Sequence, residues 1–151
     1  MTANRSQEEL VVRLALAVKR LRTRLRESWP SAAQSLSTTQ LAILKRLRDD
    51  GPATAAMLAV AEHVSQQAIA QQIAALRESR LVTTRRDPDD RRKSLVRMTK
   101  RGLRLFDSVA ESRNAWLMRA IASEVPAKER ASLVKTIELL ERLASADTAA
   151  D

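Results

Sequence analysis

From Asp87 to Lys93 the chain reads Asp-Pro-Asp-Asp-Arg-Arg-Lys, three carboxylates followed at once by three cations. Carboxylates set that densely can hold Mg²⁺, and a metal there would serve phosphodiester chemistry. The cations argue for a different partner. Arg85, Arg86, Arg91, Arg92 and Lys93 crowd the acids with charge that opposes a dication and answers a polyanion. A metal hydrolase would also need further convergent ligands, and no motif elsewhere supplies them. Upstream, Gln67 and Gln71 stand one helical turn apart, each with an amide able to bond adenine N6 and N7 bidentately in a major groove. Ala70 and Ala74 beside them are small enough for a backbone to lie deep in that groove. Ser65 and Gln66 at the helix start can donate to phosphate or reach a base edge.

These groups need a helix and a hairpin to hold them. From Ser65 to about Ser79, Ile69, Ile73 and Leu76 recur at i, i+4 and i+7, which buries one helical face and turns Gln67, Gln71 and Ala74 outward. Ser65 is the natural cap. From Leu81 the pattern becomes β-prone over Val82–Arg86, breaks at Asp87-Pro88-Asp89-Asp90, and returns over Leu95–Thr99. Residues 80–104 carry ten Lys or Arg against three Asp, a net +7 of the chain's +9. Solvation does not require such concentration; counterion release from a bound polyanion favours it.

The remaining chain predicts a mostly α frame. Its 151 residues fit one domain, 44% of them are apolar, and Gly occurs only twice. The absence of Cys excludes disulfides and thiolate metal sites, no cofactor is expected, and with neither a signal-peptide pattern nor a long apolar run the expected location is the cytoplasm. A first helix is predicted from Gln7 to Ser28, with Leu10, Leu14, Ala17, Leu21 and Leu25 as a stripe that must bury against its own domain or a second copy. After a polar loop, Ser37-Thr38-Thr39-Gln40 has capping-box form and opens a helix with Leu41, Leu44 and Leu47 inward, stopped at Asp49-Asp50-Gly51-Pro52. Thr54 caps a short helix ending near His63, the only histidine, for which a structural or exposed role is expected. Thr99 caps a long helix to about Ser123 with Leu103, Phe106, Ala110, Leu117 and Ile121 buried. Pro126 opens a last helix with Leu133, Ile137, Leu140 and Ala144 on one face, before a frayed tail from Ser145 to Asp151.

Two short helices and a charged wing make a winged helix-turn-helix. Asp87-Pro88-Asp89-Asp90-Arg91-Arg92 with Val96, Met98, Thr99 and Gly102 resembles the wing motif DPxDRRxxxVxLTxxG of the MarR-type transcriptional regulators, with Met98 in place of Leu. Leu81-Val82, Ser65 and Leu76 also fit. Arg80 stands where the family usually has Gly, and no Arg or Lys lies between Ser65 and Leu76, where many members carry one.

The resemblance implies a winged-helix DNA-binding part at about 37–102 and a dimerisation part at about 7–30 and 103–146. The implied function is a homodimeric regulator of a palindromic double-stranded DNA operator, a repressor released by a small aromatic ligand. It matches Arg92 to the residue that enters the minor groove. The residues themselves agree: Arg91 and Arg92 flank the tip, where a guanidinium can answer a narrow groove's negative potential, Asp90 suits holding an Arg by a paired hydrogen bond, and Arg85, Arg86 and Lys93 suit phosphates. Trp29, His63 and Trp116 are the candidate residues of the implied ligand pocket. The alternative is a nonspecific architectural nucleic-acid-binding protein, supported by the charge but not by the order of helix and wing. Scarce aromatic residues count against single-strand RNA.

Overall fold

The computed structural model describes residues 2–146. They cluster into two compact units, Met1–Arg113 and Asn114–Asp151. The first holds α1 (Thr2–Glu27), α2 (Ser31–Gln34), α3 (Thr38–Asp49), β1 (Ala53–Thr54), α4 (Ala55–Ala61), α5 (Gln66–Glu78), β2 (Val82–Arg86) and β3 (Ser94–Met98). Helix α6 (Lys100–Glu124) begins in it and continues into the second, where a 3-10 turn (Ala127–Glu129) precedes α7 (Arg130–Ala144). Among the described residues no helix is long and apolar enough to cross a membrane. Of the tail expected from Ser145, residues 147–151 lie outside the described part.

Each expected cap between α3 and α5 forms. Ser37 Oγ accepts from Gln40 N while Gln40 Oε1 accepts from Ser37 N, a closed capping box on α3. Thr54 Oγ1 accepts from Met57 N and Ser65 Oγ from Ala68 N. With the ends satisfied, the inward faces close one core: Ile43, Leu44 and Leu47 of α3, Leu58 of α4, and Ile69, Ile73 and Leu76 of α5. Burying such a side chain contributes about 1.5–3 kcal/mol against leaving it exposed.

The hairpin pairs antiparallel in the register Val82↔Met98, Thr84↔Val96 and Arg86↔Ser94. A third strand joins it: β1 pairs with β3 through Ala53↔Val96 and Thr54↔Leu95, giving the order β1-β3-β2. Two residues are too short to show alternation, so the sequence reading contains only the hairpin. It also takes α2 for loop, because a four-residue helix holding one buried residue, Ala33, has no periodicity.

Helices α4 and α5 both end in Schellman motifs built on residues that are not glycine. Past α4, His63 (φ 52°) donates to Val60 O at 3.2 Å and Val64 N to Ala59 O at 3.1 Å. Past α5, Arg80 (φ 59°) donates to Arg77 O and Leu81 N to Leu76 O, both at 2.9 Å. At Arg80 a residue with a side chain thus holds, under strain, the left-handed geometry that Gly adopts freely.

The wing is locked to α6 one residue further on. Leu81 O accepts from Thr99 N and Thr99 Oγ1, both at 3.0 Å, and Thr99 Oγ1 accepts from Gly102 N. A Cβ on Gly102 would lie 2.2 Å from Leu81 O, so only glycine allows this approach.

That contact also corrects the phase of α6. Its buried positions are Gly102 and Val109, with Leu105 and Phe106 packed against the core, whereas Leu103 is 41% exposed and Ile121 also lies outward. The other long stripes stay open among the described residues. On α1, Leu10, Leu14 and Leu21 are exposed, and α7, which starts only after the 3-10 turn that Pro126 opens, buries no residue and exposes Ile137 and Leu140.

Gly102→Ala is expected to cost about 1–3 kcal/mol, because its methyl group meets a backbone oxygen that cannot move alone. Arg80→Gly should instead raise stability by up to about 1 kcal/mol, the relief of a left-handed L residue exceeding the entropy a freer unfolded chain regains. Urea unfolding of both variants beside the wild type checks the pair. A Gly102→Ala protein of wild-type stability would remove this junction as the reason for the phase of α6.

Candidate nucleic-acid interface

Helix α5 presents an uncharged outer face. Gln66, Gln67, Ala70, Gln71 and Ala74 are exposed, opposite the buried Ile69, Ile73 and Leu76. Ser65 lies at its first turn with the oxygen committed as cap acceptor, which leaves its proton free to donate outward. The intervening Gln72 differs from its neighbours: it is half-buried, and its Oε1 accepts from Ser37 Oγ at 3.2 Å. Helical spacing places Gln72 at the edge of the buried face but gives no sign of a bond to a residue 35 positions away.

On the wing, strand pleating divides the basic residues. Arg85 lies opposite Leu95 and Arg86 opposite Ser94, so the two arginines point to different faces of the hairpin. Arg97, across from Thr83, shares the outer face with Arg85 and is exposed. The sequence reading omits Arg97, although alternation along β3 is enough to group it with Arg85.

At the tip the carboxylates build the turn. Asp87 N donates to Lys93 O at 2.9 Å and Lys93 N to Asp90 O at 2.8 Å, closing the loop. Asp87 Oδ1 accepts from the amides of Asp89 (2.9 Å) and Asp90 (3.4 Å). Asp90 Oδ1 accepts from Arg92 N at 3.1 Å and Arg92 Nε at 3.3 Å, and its second oxygen lies 3.9 Å from Lys93 Nζ. The bond expected of Asp90 is therefore made to Arg92 through one oxygen, shared with the Arg92 amide, not as a two-oxygen fork. The Arg92 side chain stays 93% exposed. Arg91 is exposed with no ion pair among the described residues. No group of three or more His, Cys, Asp or Glu among the described residues is placed to hold a metal ion.

The candidate pocket residues separate. Trp29 lines a cleft of about 520 Å³ with Lys19, Arg22 and Arg26 of α1, Thr38 and Leu41 of α3, and Arg113. The Trp29 Nε1 is buried without a hydrogen-bond partner among the described residues. His63 sits exposed in the turn between α4 and α5, and Trp116 belongs to the C-terminal unit, half-buried there.

Residues 36–94, from the loop before α3 to the start of β3, match the MarR family. An HTH-type transcriptional regulator of Mycobacterium bovis is 34% identical over 118 residues, 78% of this chain and 81% of that one. The transcriptional repressor NicR of Pseudomonas putida is 38% identical over 74 residues, covering 49% of this chain and 47% of its own. Among solved structures, a transcriptional regulator protein of Pseudomonas aeruginosa matches with a TM-score of 0.78 at 28% identity, over 94% of this chain and 98% of that one. With the helix-turn-helix, the basic wing and a relative alike over four-fifths of its length, the chain belongs to the MarR family of DNA-binding transcriptional regulators.

Proposed function

We propose that this regulator is a homodimeric repressor that recognises a palindromic duplex by sequence, acts in the cytoplasm, and is released by a small aromatic ligand. The observation that carries the reading is the outer face of α5: amides at Gln66, Gln67 and Gln71 beside small Ala70 and Ala74, with a cationic wing behind them. An amide face offers directional bonds to base edges, which a merely architectural protein does not need. In this reading residues 37–102 hold the DNA and residues 7–30 and 103–146 pair the two copies. The apolar stripes of α1 and α7, exposed among the described residues, support a second copy as their cover. Repression has support in the likeness to NicR.

The cleft beside Trp29 suits the ligand. An indole N–H without an acceptor among the described residues and the cations Lys19, Arg22 and Arg26 favour an aromatic body carrying a carboxylate or phenolate.

Sedimentation at micromolar concentration is expected to give a dimer, which then binds two half-sites roughly 34–36 Å apart, one helical turn. A monomer with and without DNA would sink the paired reading. On a duplex selected from a random pool, Gln67→Ala or Gln71→Ala should cost about 1–3 kcal/mol and relax base preference. Loss by the same factor on every duplex would put both residues on phosphates and favour the architectural alternative.

Arg92→Ala should weaken specific binding more than Arg85→Ala, most of all where the flanks are A/T-rich, since a guanidinium gains from a narrow minor groove and a phosphate contact does not. Asp90→Ala should give a milder form of that defect, because it frees Arg92 without removing it. Equal losses on A/T and G/C flanks would show that the tip only grips the backbone.

A further inference from the structure

Arg26, in the last turn of α1, takes part in two structures at once. Its Nη2 donates to Gln34 O at 2.8 Å and Leu36 O at 2.9 Å, the carbonyls that bracket the end of α2. Its guanidinium carbon lies 5.6 Å from the Trp29 ring centroid, and Gln34 Nε2 returns a bond to Trp29 O at 3.2 Å. Leu36 is a buried core residue, so fixing its carbonyl fixes where the chain enters α3. The next residue, Ser37, caps α3 and donates to Gln72 of α5, whose neighbour Gln71 faces outward. The same Arg26 and Trp29 line the cleft together with Thr38, the first residue of α3.

We propose that Arg26 is a positioning residue that couples occupancy of the Trp29 cleft to the placement of α5. In the observed arrangement its guanidinium ties α1 to the segment leading into α3, and Ser37 carries that constraint to Gln72. An aromatic carboxylate entering the cleft competes for the guanidinium with a full negative charge, which two neutral carbonyls cannot match. Drawn toward it, Arg26 releases Gln34 O and Leu36 O, and the Ser37 cap shifts with the bond it makes to α5. This coupling rests on the reading of α5 as the base-facing helix and of the cleft as the effector site.

The test uses the full-length protein, Arg26→Ala and Arg26→Lys, with benzoate as the probe. Amide hydrogen exchange at Gln40, the residue whose N–H bonds Ser37, is measured without DNA. Affinity is measured for a pool-selected duplex and for a random one. Arg26→Ala should speed exchange at Gln40 and weaken the selected duplex about fivefold or more, a coupling of ordinary size, while leaving the random duplex unchanged. Arg26→Lys, which keeps the charge and can reach one carbonyl, should recover part of the loss. Benzoate should speed Gln40 exchange in the wild type and add nothing to Arg26→Ala. Unchanged Gln40 exchange in Arg26→Ala, or equal weakening on both duplexes, would overturn the coupling, as would benzoate acting alike on wild type and Arg26→Ala. If Arg26→Ala does not fold, Arg26→Lys and the benzoate response of the wild type decide by the same exchange readout. A wild type that prefers no duplex would instead defeat the proposed function, and the exchange measurement, which contains no DNA, would still decide the role of Arg26.

Discussion

The carbonyl of Leu81 is the point on which the DNA-facing half of this chain depends. It accepts both the amide and the hydroxyl of Thr99, and the bare α-carbon of Gly102 rests against it. The Leu81 amide, in turn, closes the end of α5 on Leu76 O. One residue therefore sets where α5 stops, where β2 starts, where β3 ends and at what rotation α6 leaves. Thr99 has a single hydroxyl proton and two acceptors within reach, Arg80 O at 2.8 Å and Leu81 O at 3.0 Å, while its oxygen caps Gly102. Left without these donors, a carbonyl so enclosed would cost about 1–3 kcal/mol.

How much of this was legible in the sequence depended on the range over which each signal acts. Caps are local, so Ser37 with Gln40, Thr54 and Ser65 could be read from their spacing, and the inward face of α5 followed from three apolar residues at helical intervals. The hairpin was legible because its β-prone runs flank an unmistakable break. Strand β1 and helix α2 were not, being too short for any pattern to repeat. Of the α6 face, Phe106 packs on the core as its spacing implies and Ala110 and Leu117 are half-buried, but Leu103 lies outward because Gly102, which adds no hydrophobicity to a stripe, sets the rotation there through a backbone contact. The bond of Gln72 to Ser37 joins residues remote in sequence, and the same amide on Gln71 one position earlier faces outward.

The wing tip shows how a dense acidic triplet can serve geometry. Asp87 and Asp90 accept backbone amides two and three residues ahead, the use to which short carboxylates in turns are suited, and Asp90 also restrains a cation. An exposed pair of this kind adds little to stability, roughly 0.2–1 kcal/mol. Its value lies in holding Arg92 in fewer orientations while the side chain stays almost wholly in solvent. Oxygens already bonded to N–H groups and set amid cations are poor metal ligands.

Charge and amide chemistry occupy separate elements here, since residues 66–76 carry no ionisable side chain and residues 80–104 carry a net +7. Only the second set trades with the ion atmosphere of a polyanion. In the proposed reading, changing ionic strength would then act mainly on how often the protein is found on DNA, through the wing's phosphate contacts, and much less on the base contacts of α5. On that reading occupancy and base contacts are set by different elements, so a rise in salt would lower binding across sites together and alter their order only through the A/T preference of Arg92.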